Sequence, residues 1–243
     1  ILCVRMLLVC AKGEKIRVAE PNNGYKVVYE GGEGEITEKK SRFICTVKSV
    51  SSEEEAVSFI NETKKKYWDA RHNCSAFVIG SRQELTRCSD DGEPAGTAGR
   101  PMLDVLMREG ICDVAVVVTR YFGGVLLGTG GLVRAYQAAV QAGLENSTII
   151  TKQTGKLLII CTDYNGLGKL QYLFAQNDIS IRNTEYGAAV QMEVLIPSEK
   201  VQSIEKSIVE VTSATAKMEW KEDVIYAVCN KEIIIFKKNE IRG

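Results

Sequence analysis

Apolar and polar positions change rhythm several times along this chain, and each change marks an element. Tyr25 to Glu30 and Glu35 to Val50 alternate as half-buried strands do, and Gly31, Gly32 and Gly34 predict a hairpin between them. Ser51-Ser52 ahead of Glu53-Glu54-Glu55 predicts a helix start, with a serine capping free N–H groups and acids facing the positive end of the dipole. Ala56, Val57, Phe59, Ile60 and Thr63 supply that helix's apolar face, and Lys64-Lys65-Lys66 reads as its solvated C-terminal end. Strands follow over Asn73 to Gly80 and Glu84 to Ser89. A second helix runs from about Ala98 to Glu109, with Pro101 in its first turn and Gly110 as its stop. Cys112 to Tyr121 is a nearly unbroken apolar, β-branched run, the pattern of a central strand buried on both faces. A third helix spans about Gly130 to Leu144.

The rhythm differs after a polar stretch near Ser147 to Gly155. A strand (Lys156 to Thr162), a helix (Leu167 to Gln176), two strands (Ile179 to Tyr186, Ala188 to Ile196), a helix (Glu199 to Val211) and a strand (Ala216 to Trp220) follow in turn. This β-α-β-β-α-β order is that of a ferredoxin-like domain. Tyr186-Gly187 suits a hairpin turn, and Pro197-Ser198 is expected to cap the second of these two helices. The expectation is an α+β protein of two α/β-sandwich domains, residues 25–147 and 154–222, with extensions at 1–24 and 223–243. The second extension holds one more apolar strand, Glu232 to Phe236.

Composition narrows the function classes. At 243 residues, 45% hydrophobic and 26% charged, the chain is long and apolar enough for real cores. Lys+Arg and Asp+Glu are both 31. Nonspecific nucleic-acid binding normally draws on a basic excess, so any such contact here needs a local patch. The eight cysteines include no C-x-x-C pair, and a single histidine, His72, cannot complete a usual Cys/His zinc set. Cys45, Cys74, Cys112 and Cys161 lie in apolar runs, where a thiol behaves as a small hydrophobe, which implies a reducing, cytoplasmic setting without disulfides. The apolar start, Ile1 to Ala11, is shorter than the roughly 20 residues a membrane helix needs.

Three motifs could carry chemistry. SDDGEPAGTAGRP (89–101) crowds Asp90, Asp91 and Glu93 with glycines and prolines into one loop. Its acids could hold a hard cation, but acids so closely spaced also form turns and caps, and the weight falls on the latter. Thr97 is placed to cap the helix that Arg100 enters. VVVTRYFGGVLLGTGGLVRAY (116–136) leads from a buried strand through Arg120, Tyr121 and Phe122 to Gly128-Thr129-Gly130-Gly131 at a helix start. Such a start can face an anion, with Arg120 and Arg134 adding charge; equally, the glycines can serve tight turns and close packing. Neither a Walker loop nor a Rossmann fingerprint is present. DARHNCSAF (69–77) puts His72 and Cys74 on one strand face beside Arg71, but i, i+2 neighbours seldom aim at each other, and no third orienting group is evident.

These motifs, with KSRF at 40–43, resemble the YigZ/IMPACT family in identity, order and spacing. The resemblance is strong over about 25–147, and the second half is similar to the ferredoxin-like domain of the bacterial branch. It implies a first domain folded like the second domain of a small-subunit ribosomal protein and a second like the last domain of elongation factor G. Eukaryotic members bind the activator of an amino-acid-starvation kinase and affect translation initiation; that partner does not transfer to a bacterial-type chain.

Two functions follow as expectations. One is a protein binding RNA, the ribosome or a translation factor, with Arg71, Arg100, Arg120 and Arg134 meeting phosphate and Tyr121 and Phe122 stacking. The other is an enzyme for a phosphorylated or nucleotide-like small molecule. No metal or other cofactor is expected, no nucleophile or base is evident, and binding is the stronger reading.

Overall fold

The computed structural model describes residues 24–230 and 232–236, so the N-terminal extension, apart from Gly24, lies outside the described residues. The strands are β1 (Tyr25–Glu30), β2 (Glu33–Glu38), β3 (Ser41–Ser49), β4 (His72–Ile79), β5 (Leu85–Ser89), β6 (Ile111–Cys112), β7 (Val114–Tyr121), β8 (Thr148–Thr162), β9 (Ser180–Tyr186), β10 (Val190–Pro197), β11 (Lys217–Cys229) and β12 (Glu232–Phe236). The α-helices are α1 (Glu53–Lys66), α2 (Gly99–Glu109), α3 (Thr129–Glu145), α4 (Tyr164–Gln176) and α5 (Val201–Val211). The fold is the expected α+β.

The first sheet is antiparallel, in the order β2-β3-β7-β4-β5. Its central strand β7 is buried on both faces, as its unbroken apolar run requires. Val114, Val116 and Val118 face α2 and α3, packing with Met102, Leu106 and Tyr136. Ala115 and Val117 face α1, packing with Ala56 and Phe59. Helix α1 begins as predicted: Ser52 Oγ accepts from Glu55 N–H at 3.3 Å, and Glu55 Oε2 reaches back to Ser51 N–H at 2.7 Å.

Two local expectations need correction. The glycine-rich stretch does not join β1 and β2 as a hairpin; β1 leaves for the other sheet, pairing β8 and β6. The hairpin is instead β2–β3, and it breaks the predicted single strand over Glu35 to Val50 at Lys39-Lys40. Both lysines have positive φ (45° and 65°), the conformation of a tight two-residue hairpin turn. Likewise the run from Cys112 to Tyr121 is two strands. Asp113, at φ 53°, turns the chain from β6 into β7, and its Oδ1 accepts from Gly80 N–H at 2.9 Å.

The second core lies between α4, α5 and a sheet ordered β9-β10-β8-β11, all antiparallel, which is the ferredoxin-like arrangement. Asp163 caps α4, accepting from Gly166 N–H at 2.7 Å. Helix α5 has no side-chain cap; a short 3-10 turn, Ser198–Lys200, leads into it. The polar stretch near Ser147 to Gly155 is, from Thr148, the first half of β8. This half pairs with β1, and the second half with β10. Strand β11 runs past Trp220 through a bulge and carries β12 at its edge. Among the described residues no helix is long and apolar enough to cross a membrane.

Candidate functional site

The two motif loops meet. Arg120 Nη1 donates to Glu93 Oε1 at 2.6 Å, and Tyr136 OH donates to the same oxygen at 2.8 Å. The pair is enclosed, with side chains 7% and 3% exposed. Arg120 lies over the Phe43 ring, its Cζ 5.4 Å from the centroid. The expectation of Arg120 as a free phosphate contact is therefore corrected: its charge is engaged inside the domain.

The other two loop acids also point inward. Asp90 Oδ1 accepts from Ala98 and Gly99 N–H at 3.0 and 2.8 Å, and its Oδ2 from Gly96 N–H at 2.8 Å. Burial raises its pKa, but the backbone bonds from Gly96, Gly99 and Ala98 outweigh that and hold the carboxyl below its ordinary value. Asp90 thus serves the start of α2 from eight residues upstream of Ala98. Thr97 does not cap that helix as expected, because its hydroxyl donates to Pro94 O at 2.7 Å. Asp91, at φ 44°, accepts from Lys64 Nζ at 2.5 Å and Asn73 N–H at 2.7 Å. The lysine run ending α1 is therefore not purely solvated: Lys64 ties it to this loop, and Lys66 pairs with Glu33 at 2.7 Å. Among the described residues no group of three His, Cys, Asp or Glu side chains is placed to hold a metal ion.

His72 and Cys74 face this loop but not as a reactive pair. His72 Nδ1 sits 2.9 Å from Asp91 O. Cys74 S–H lies 3.0 Å from Asp90 O and 3.3 Å from Tyr136 OH. Burial pushes the Cys74 thiol up to about 12, which disfavours its thiolate form at neutral pH. The six cysteines among the described residues are free.

The remaining candidates are on the surface. Arg100 pairs with Asp104 one turn along α2, at 2.8 Å. Arg71 is exposed. Tyr121 OH donates to Asp69 Oδ1 at 2.9 Å, and Arg42 Cζ lies 6.0 Å from the Tyr121 ring centroid. Gly128, at φ 73°, precedes α3, whose start has no side-chain cap. The N–H groups of Thr129, Gly130 and Gly131 in that first turn have no intrahelical acceptor. Arg134 Nη1 folds back to 3.7 Å from where a Gly130 Cβ would stand.

Four residues at or beside these loops were not singled out from the sequence: Tyr136, Lys39, Lys40 and Trp68. Tyr136 is about two turns into a helix whose apolar face hides it. Trp68 is 82% exposed between the lysine run and Asp69, and an aromatic residue in so polar a stretch was a signal available in the sequence.

A two-domain α+β chain with a clasped acidic loop against a glycine loop defines a recognisable class, and comparison supports it. Residues 39–144 match the Impact N-terminal domain, and residues 161–215 match a domain of unknown function (DUF1949). The IMPACT family member YvyE of Bacillus subtilis is 40% identical over 191 residues, covering 79% of this chain and 88% of that protein. The IMPACT family member YigZ of Escherichia coli is 37% identical, covering 74% and 89% respectively. A solved structure described as that of an hypothetical protein is similar with TM-score 0.52 and 34% identity, over 83% of this chain and 98% of that one. The chain belongs to the IMPACT family.

Proposed function

We propose that this chain is a translation-associated binding protein whose contact surface is the end of the first sheet where β3, β7 and β4 meet. One observation carries the reading: at that end the acids of the 89–101 loop point in, and four cations have no carboxylate partner among the described residues. Asp90, Asp91 and Glu93 each hold fixed internal partners, whereas Lys39, Lys40, Arg71 and Arg134 pair with no carboxylate among the described residues. Unpaired cations gathered at one end attract a polyanion even on a chain of zero net charge. Family membership supports the same direction, since eukaryotic members regulate translation. A thiol held protonated beside a histidine bonded to backbone favours binding over catalysis.

The test is co-sedimentation with ribosomes across a salt series, wild type beside a combined Arg71→Ala and Arg134→Ala variant. Pelleting that weakens with salt and weakens further in the variant is expected. No pelleting at low salt overturns the reading. A second reading, binding of a phosphate-bearing small molecule, is favoured by one feature: the Arg134 guanidinium beside the uncapped start of α3. A rise in Tm with inorganic phosphate, lost in Arg134→Ala, is its signature.

A further inference from the structure

We infer that this end of the first domain is a stacking surface for single-stranded RNA, with the Phe122 and Trp68 rings taking bases and the Lys39-Lys40 turn taking backbone phosphate. The inference rests on the binding reading above and names its ligand.

Strand register brings the parts together. Arg42 is opposite Tyr121, and His72 is opposite Arg120, so the β2–β3 turn, the β7–α3 loop and the α1–β4 connection all emerge at one end. Three adjacent strands span about 10 Å. Two contacts fix the connections to each other. Gly123 sits so close to the hairpin that a Cβ there would lie 2.0 Å from Lys40 O, and its N–H donates to Ser41 Oγ at 3.2 Å. Tyr121 OH holds Asp69, the neighbour of Trp68.

The exposed side chains here are of the kind that bind bases. Trp68 and Leu126 are each 82% exposed and Phe122 is 53% exposed. The inner side of Phe122 rests on the Arg120 guanidinium, whose Cζ is 5.6 Å from the ring centroid. Glu93 and Phe43 hold that guanidinium in turn. The ring is therefore supported on its Arg120 side and open to solvent elsewhere, which suits a flat partner. A duplex keeps its bases stacked internally, so only a single strand offers them. Lys39 and Lys40, held at positive φ on a tight turn beside the ring, supply the positive charge that a strand's backbone follows.

The experiment is fluorescence anisotropy of the full chain with a labelled single-stranded RNA of about ten nucleotides, the same RNA as a duplex, and the ribosome pelleting assay run in parallel. Phe122→Ala and Trp68→Ala should each weaken single-strand binding about tenfold. Lys39→Asn with Lys40→Gly removes both charges but installs residues that favour the same turn, so the fold is kept. It should lower the salt slope of log affinity by about 1.4. Single-strand binding that is absent, unaffected by these variants or no stronger than duplex binding overturns the inference. Pelleting lost in the ring variants without any oligonucleotide binding also overturns it, assigning the surface to a protein partner while leaving the translation reading intact. Oligonucleotide binding that follows the variants without pelleting upholds the RNA surface and removes the translation reading.

Discussion

The two sheets of this protein handle charge in opposite ways. At the β3–β7–β4 end of the first, the acids of the 89–101 loop turn inward, while Lys39, Lys40, Arg71 and Arg134 pair with no carboxylate among the described residues. On the open face of the second, both signs lie side by side: Arg182 Nη1 is 2.9 Å from Glu193 Oε1, Gln191 and Lys217 flank Cys161, and Glu193 and Glu219 flank Ile159. Other β-α-β-β-α-β domains use that face, dressed with aromatics, to stack RNA bases. Here the positions flanking Ile159 and Cys161 are Glu193, Glu219, Gln191 and Lys217, with no aromatic among them. Architecture alone points to the second domain; the distribution of paired and unpaired charge is what directs the proposal to the first.

The comparison can be broken most forcefully at the clasp. Removing one partner of the enclosed Glu93–Arg120 pair, as Glu93→Ala or Arg120→Ala, should cost about 3–5 kcal/mol in urea unfolding. A double Glu93→Leu, Arg120→Met variant should cost much less, because neither charge is then left buried alone. A loss as small as that of a surface pair would mean that the acids are not what holds the first site together. Asp90→Asn should come next, at about 1–2 kcal/mol, because several backbone N–H groups lose a charged acceptor. Its pKa is depressed in the folded state, so its stabilisation is full above the unfolded value of about 3.9 and is lost as pH falls through the folded value. The gap in stability between wild type and Asp90→Asn should therefore be constant from pH 7 to 5 and close in stronger acid. The smallest effects sharpen the contrast between sheets. Lys217→Glu on the second sheet should change RNA affinity less than about twofold, since surface charge distant from a site is largely screened. Lys39→Asn with Lys40→Gly should raise stability by about 0.5–1 kcal/mol while weakening RNA binding, because asparagine and glycine accept positive φ more readily than lysine.

Features set by neighbours in the chain were legible. The Ser52 cap, the apolar run of β7 and the β-α-β-β-α-β order of the second half could all be read from the order of residues. What escaped reading depended on backbone angle or on distance along the chain. Lys39-Lys40 carries none of the asparagine or glycine that announces a tight hairpin, and Asp113 interrupts an apolar run with a conformation that no residue type dictates. The dense runs 89–101 and 116–136 do meet in the fold, but the roles of their residues are set by pairing. Arg120 looked like a phosphate ligand until Glu93, 27 residues upstream, took its charge. Asp90 was legible as a turn former or cap, but the helix it serves, α2, eight residues downstream, was not. Which arginine stays outside is decided by the fold and is invisible in spacing.

Strand β8 has a consequence for how this protein is cut. Each residue from Thr148 to Thr162 faces a partner on at least one side: β1 first, then β11, then β10. A protease acting on two beads joined by a string cleaves the string, because extended backbone without partners fits its cleft. Here the connection between the cores is itself sheet. Limited digestion should spare this connection, and among the described residues the first cuts are expected on exposed loop tips such as that around Leu126.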